Sequence, residues 1–293
     1  MEVQSYLTAR QRVIDRALDH FLPKASATPP TIHKAMRYSL FAGGKRLRPI
    51  LCLAAAEACG GEIDNALPLA CAVECIHTYS LIHDDLPSMD DDDLRRGRPT
   101  CHKVFGEGIA VLAGDALLTI AFEIVSRAKA SRRYDMSILL REIAVAAGSR
   151  KLIAGQVADL EAEGRKTDRA QLRYIHENKT AAILTTSVRL GAMSANASVK
   201  QLAAMTRFGR ALGLAFQVID DILDVTQTSE KLGKSAGKDI AAKKATYPAV
   251  IGLDQSRLEA RRLTRQAHKS LSTFGAKAEA LHALSNYLLE REY

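Results

Sequence analysis

The sequence predicts an all-α fold, a single large bundle of long helices around a central cavity, with residues 1–293 forming one domain. Three observations carry that expectation. No proline occurs between Pro99 and Pro248, and the stretch between them is dense in Ala, Leu and Ile, which suit long helices. No segment alternates apolar and polar residues as a half-buried strand does, and no repeat or low-complexity tract is present. No Pro-, Gly- or Ser-rich linker divides the chain, and the chemistry-bearing residues come from both halves.

Composition narrows the function classes. With 47% hydrophobic and 25% charged residues the chain is neither disordered, collagenous nor a disulfide miniprotein. No uncharged run exceeds about ten residues, half of what a membrane-spanning helix needs. Glu2, Arg10 and Arg12 occupy the N-terminus without an apolar stretch, so no signal peptide is expected. Cys71 and Cys75 lie four apart in an apolar run and read as buried thiols, not zinc ligands, which fits a reducing cytoplasm. The net charge is +8, yet residues 84–93 hold six Asp and no base. A nucleic-acid binder would add aromatic platforms, and aromatics are only 5% here. Small acidic substrates, held partly through metal bridges, fit both halves of the charge pattern.

The elements follow in chain order. Val3, Tyr6, Leu7, Arg10, Val13, Ile14, Ala17, Leu18 and Phe21 recur at helical spacing with only Arg10 polar, predicting an amphipathic surface helix. In GGKRLRP, residues 43–49, Lys45 and Arg48 are three apart, the spacing of neighbours on a helix, and the Gly43–Gly44 pair lets backbone approach a ligand closely. His77, Ser80 and Asp84 share one helix face. Asp84 and Asp90 would diverge by about 120° on a continuous helix. Pro87 ends the helix near Leu86, so Asp90 is free to swing back towards Asp84. Asp91, Asp92 and Asp93 read as a solvated charge run. Thr167 and Asp168 open a helix expected to run to Gly191.

The clearest chemical signal is FQVIDDILD, residues 216–224. Gln217, Asp220, Asp221 and Asp224 form one stripe, while Phe216, Val218, Ile219, Ile222 and Leu223 cover the other sides. Carboxylates on so apolar a helix need counter-charge, because desolvating them alone is costly. A divalent cation supplies it, and all-oxygen ligation favours Mg²⁺ over zinc.

Two Asp-rich helices in an all-α chain resemble the trans-isoprenyl diphosphate synthase family. The motifs GGKRLRP (43–49), DDLPSMDDDDLRR (84–96), NKT (178–180), FQVIDDILD (216–224) and GKSAGKD (233–239) occur in the family's order. The longer first Asp motif, with Pro87 inside it, is similar to that of bacterial farnesyl diphosphate synthases. The resemblance implies an isoprenoid synthase-like fold, usually dimeric, that joins isopentenyl diphosphate to dimethylallyl or geranyl diphosphate. It implies Mg²⁺, three ions with the diphosphate bound, held by Asp84, Asp90 and Asp220. Asp85, Asp221 and Asp224 are then alternate or outer ligands. Gly44, Lys45, Arg48, His77 and Arg96 match the isopentenyl diphosphate site. Arg95, Lys179 and Lys234 match groups on the allylic diphosphate, and Thr180 and Gln217 match polar groups near the reacting carbon. Lys243 stands where Gly is usual. Tyr79, with Ser80 beside it, resembles the aromatic stop that limits chain length to fifteen carbons; a core tyrosine is the alternative.

Three rivals remain. A geranylgeranyl diphosphate synthase runs the same chemistry one step further. A terpene cyclase needs no isopentenyl site, which GGKRLRP and the second Asp motif oppose. A non-catalytic partner subunit is the third, and the chain retains both Asp motifs.

Overall fold

The computed structural model describes residues 2–226 and 246–289; Lys234 and Lys243 therefore lie outside the described residues. Within them the structure is helical, as the sequence predicts. The helices are α1 (Val3–Phe21), α2 (Pro30–Leu40), α3 (Leu47–Ala58), α4 (Ile63–Asp84), α5 (Cys101–Phe105), α6 (Glu107–Ser126), α7 (Met136–Ala147), α8 (Leu152–Ala162), α9 (Arg169–His176), α10 (Ala182–Ser194) and α11 (Val199–Thr226). Helices Tyr247–Ile251, Leu253–Ser270 and Glu279–Leu289 follow.

Helix α1 takes the predicted span and buries Leu7, Ile14 and Leu18, each contributing about 1.5–3 kcal/mol by leaving water. Helix α4 is apolar on nearly every side from Ala66 to Ile76 and packs against α3, α6 and α10. A helix hydrophobic all round belongs in the interior, and α4 carries the first Asp motif out of that interior at its C-terminal end. Cys71 and Cys75 are fully buried on it, and burial pushes both thiols well up.

Helix α11 links two core clusters. Ala204, Met205, Phe208, Ala211 and Leu212 belong to the main one. Leu214, Val218, Ile219, Ile222 and Leu223 form a second with Leu172, Tyr247 and Leu263. The second Asp motif therefore rides on a helix locked along its apolar sides.

Three expectations need correction. The helix opened by Asp168, which forms a capping box with Gln171, does not stop at Gly191. It passes through a π-helical turn, Glu177–Ala181, and continues to Ser194. Gly191 is a crossing point: a side chain there would drive into the Cys52 carbonyl of α3. A two-residue antiparallel ladder also exists, pairing Leu94–Arg95 with Arg98–Pro99. Its loop, Arg96–Gly97, has positive φ at both positions (55° and 73°), the tight hairpin turn that matches strand twist. Finally, Glu107–Ser126 is long and apolar enough to cross a membrane by length and composition, despite Asp115 and Glu123. Those acids keep every uncharged run short while mean hydropathy stays high.

Candidate active site

The site is built from four pieces of backbone. The first is the turn before α3. Gly43 and Gly44 take φ of 96° and 113°, and Arg46 the left-handed value of 49°. Lys45 thus precedes the helix, which begins at Leu47. Lys45 and Arg48 lie on either side of a left-handed turn and are not helix neighbours, which corrects the spacing argument. Arg46 points inward and is 3% exposed. Its guanidinium donates to Asp15 Oδ1 (2.8 Å), Glu74 Oε1 (2.9 Å) and the Leu40 carbonyl (2.7 Å). Burial works against its charge, but Glu74 and Asp15 outweigh that and hold its pKa up.

Around this turn a pocket forms, lined by Lys45, Arg48, His77 and Arg96 together with Leu47, Phe216 and Tyr287. Burial pushes the Arg48 guanidinium down to about 10, with Arg96 adding to the shift and Glu74 and Asp220 opposing it. Burial, then the nearby Arg48 charge, holds His77 well below its usual range. His77 is therefore neutral near pH 7. Its Nε2 lies 3.1 Å from Arg48 Nη1, and since arginine only donates, Nε2 is the acceptor. Lys45 Nζ sits 5.2 Å from the Tyr287 ring centroid, within cation–π range. Arg96 donates to the Gly43 carbonyl and lies flat over Gly44. A Cβ at Gly44 would come 2.5 Å from the guanidinium carbon, a contact that a long side chain can yield, so it is the φ of 113° that requires glycine.

The second piece is the end of α4. The helix stops at Asp84, as Pro87 dictates, and the chain loops so that the Asp90 N–H donates to the Asp84 carbonyl at 2.8 Å. Asp90 does swing back. Burial pushes the Asp84 carboxyl up to about 6; Lys179 and then Arg95 oppose this, whereas Asp90 and Asp85 add to it. The counter-charge near Asp84 thus comes from other elements, not from its own helical face. Asp85 is buried and accepts from Arg95 Nε at 2.9 Å; burial raises its pKa despite Arg95. Asp91 and Asp93 are exposed, as the solvated run predicts, with Asp93 2.7 Å from the exposed Lys103, whereas Asp92 is half-buried and reaches Arg95 at 3.4 Å. The hairpin is the reason: it folds the basic residues back over the Asp motif.

The third piece is the π-helical turn. Such a bulge inserts one residue per turn and re-aims side chains. Here it directs Lys179 to Asp159 Oδ2 of α8 (2.6 Å), within Coulombic reach of Asp84. It directs Thr180 to donate to Gln217 Oε1 of α11 (2.8 Å). Helix α8 crosses beneath at Gly155, where any Cβ would overlap the Lys179 backbone nitrogen.

The fourth piece is α11. Asp220 is half-buried, Asp221 and Asp224 buried. Asp221 accepts from the Tyr247 N–H (2.9 Å) and from Gln217 Nε2 (3.3 Å). His176 Nε2 lies 3.4 Å from Asp221 Oδ2, and burial pushes this imidazole down to about 3, so it is neutral.

Among the described residues no three His, Cys, Asp or Glu side chains form a metal cage. Asp84, Asp90 and Asp220, the residues the resemblance assigns to the metal, all offer hard oxygens, and burial raises the Asp84 carboxyl although Lys179 and Arg95 oppose it.

Tyr79 is buried and meets His83 edge-on, with ring centroids 5.8 Å apart. Burial, then Asp84, pushes its phenol up to about 12. Ser80 donates to the His77 carbonyl at 2.9 Å. Sequence reasoning missed Asp159, Gly155, Arg46 and Glu74. Gly155 and Asp159 share a helix face at i, i+4, the same stripe rule that exposed residues 217–224, while Arg46 lies inside the GGKRLRP motif itself.

A family model described as polyprenyl synthetase matches residues 29–284. The chain is 50% identical to heterodimeric geranylgeranyl pyrophosphate synthase large subunit 1 of Arabidopsis thaliana over 99% of its own length and 80% of the relative's. It is 49% identical to the geranylgeranyl pyrophosphate synthase of Catharanthus roseus, covering 99% and 82%. A crystal structure from Marinomonas sp. MED121, assigned as a farnesyl-diphosphate synthase, superposes with a TM-score of 0.85 at 40% identity, over 99% of both chains.

Proposed function

The chain belongs to the polyprenyl synthetase family and is an (E)-prenyl diphosphate synthase, and from that premise we propose how its charged centres divide the work. The cation pocket of Lys45, Arg48, His77 and Arg96 takes isopentenyl diphosphate. The allylic diphosphate lies between Asp84–Asp90 and Asp220, reached by Arg95 and Lys179; Lys234, which the resemblance assigns to the same diphosphate, lies outside the described residues. One observation carries the reading: a cation pocket and a carboxylate cluster stand side by side, with Lys179 beside Asp84 and Thr180 tied to Gln217.

The barrier in this reaction is breaking the allylic C–O bond. Negative charge grows on the departing diphosphate and positive charge on carbon. Fixed positive charge aimed at the leaving group stabilises that state more than the ground state. Lys179 serves this role: its ammonium, shared between Asp159 and the field of Asp84, is positioned before the bond breaks. Arg95, clamped by Asp85 and Asp92, is equally restrained. Thr180 and Gln217 present oxygen dipoles to the cationic carbon. Bound Mg²⁺, three ions in our reading, supplies further charge for the diphosphate through Asp84, Asp90 and Asp220.

The names of the plant relatives support geranylgeranyl diphosphate as the product better than the farnesyl expectation. A fifteen-carbon stop is the second reading, favoured by Tyr79, an aromatic buried within the field of Asp84. The homodimer reading rests on exposed apolar side chains along α6 and α8: Val111, Leu112, Ile153, Val157 and Leu160. The test is incubation with Mg²⁺, isopentenyl diphosphate and labelled dimethylallyl diphosphate. Twenty-carbon product supports the first reading and fifteen-carbon product the second, in which case Tyr79→Ala lengthens it. Cyclised hydrocarbon, or no turnover, overturns both.

A further inference from the structure

The cation pocket contains a carboxylate that does not belong with an anionic ligand. Glu74 of α4 lines it beside Lys45, Arg48, His77 and Arg96 and is 1% exposed. Unpaired, that charge would repel a diphosphate through a poorly screened interior. It is paired, through Arg46 Nη1 at 2.9 Å, and the same guanidinium reaches Asp15 of α1 at 2.8 Å. Four residues before Asp15 on α1, Gln11 Nε2 donates to the Gly44 carbonyl at 3.2 Å. Residues i and i+4 share a helix face, so one side of α1 holds both the turn and its buried arginine. Arg46 does this from a left-handed backbone conformation, φ 49°, that a non-glycine residue adopts only when its surroundings dictate it.

We infer that Arg46, held by Asp15 and Glu74, is a positioning residue for isopentenyl diphosphate. It neutralises Glu74 and fixes the turn that presents Lys45 and Arg48, while its own guanidinium stays committed to protein partners. Gln11 and Asp15 give α1 a part in substrate affinity although neither lines the pocket. The inference rests on the assignment of this pocket to isopentenyl diphosphate.

Two consequences separate this role from simple structural support. First, Arg46 and Glu74 are coupled. Arg46→Met leaves Glu74 charged and unpaired within the pocket. The KM for isopentenyl diphosphate should rise on the order of tenfold or more, because a lone buried charge is far costlier than no pair at all. Adding Glu74→Gln removes the repulsion and should recover most of that loss. Second, the effect is confined to one substrate: KM for the allylic diphosphate should stay within about twofold, since Lys179 and Asp84 sit on other elements.

The experiment measures steady-state KM for each substrate, with melting temperature alongside, for wild type, Arg46→Met, Glu74→Gln and the double variant. Gln11→Leu and Asp15→Asn are added because these half-buried α1 positions leave the core intact. Each should raise isopentenyl diphosphate KM about two- to fivefold. A wild-type enzyme unable to use isopentenyl diphosphate defeats the site assignment. An active wild type whose Arg46 and Glu74 losses simply multiply in the double variant defeats the pairing. Equal changes in both KM values reduce Arg46 to a structural residue. If Arg46→Met does not fold, unchanged isopentenyl diphosphate KM in both α1 variants overturns the inference.

Discussion

Asp84→Asn should make the metal-free protein more stable while removing its activity. In the fold the Asp84 carboxyl titrates at about 6 instead of 3.8, chiefly because it is buried, with Asp90 and Asp85 adding repulsion. Each pKa unit is about 1.36 kcal/mol, so charging Asp84 in the folded state costs up to about 3 kcal/mol. An amide of the same shape avoids the charge but must itself be desolvated, which leaves a net gain of about 1–2 kcal/mol. For a chain of this size that raises Tm by about 2–3 °C. The pH dependence gives a sharper test. Well below pH 3.8 the carboxyl is protonated in both folded and unfolded states, the charging penalty vanishes, and the variant loses its advantage, keeping only the desolvation cost of its amide. Between about 4 and 6 the folded state keeps a proton that the unfolded state has lost, so wild-type stability falls as pH rises. Above about 6 the penalty is complete and the Tm gap is constant. The assay is thermal denaturation in EDTA from pH 4 to 8, repeated with Mg²⁺ and pyrophosphate. Those ligands should stabilise wild type, by about 2.7 kcal/mol at a hundredfold excess over Kd, and leave the variant unmoved. A variant less stable than wild type in EDTA at pH 7.5, or a gap independent of pH, would refute the reasoning.

Gly155→Ala should lower kcat about tenfold or more with a smaller Tm loss, because the new methyl group displaces the Lys179 backbone rather than the core; unchanged kcat shows that the π-helical turn has slack. Arg48→Ala should raise KM mainly for isopentenyl diphosphate, by about 1.5–3 kcal/mol. Lys179→Ala should instead lower kcat, its target charge growing as the allylic bond breaks, and exchange of these two phenotypes reverses the substrate assignment. Chelation with EDTA should abolish condensation while far-ultraviolet circular dichroism stays helical, with activity returning on Mg²⁺ addition; turnover in excess EDTA excludes the metal role.

The helices were legible because they are local. The α1 stripe, the Asp168 cap and the break at Pro87 follow from side-chain periodicity and from what proline does to its neighbours, and all three stand in the structure. The need of residues 217–224 for counter-charge was equally legible, since Asp among Ile, Val and Leu implies it wherever the helix lies. What the sequence left open was which element brings each partner. Asp159 and Gly155 of α8 meet Lys179 only because a π-helical turn shifts that lysine out of α-helical register, and turn type depends on tertiary packing. Arg96 reaches Gly44 through a hairpin turn of two residues, and Lys45 and Arg48 line one pocket from either side of the left-handed Arg46. Residue types and helix faces are properties of short stretches of chain. Pairing of Arg46 with Glu74 and Asp15 joins charges 28 and 31 residues apart, and only the packing of α1, α3 and α4 sets that distance.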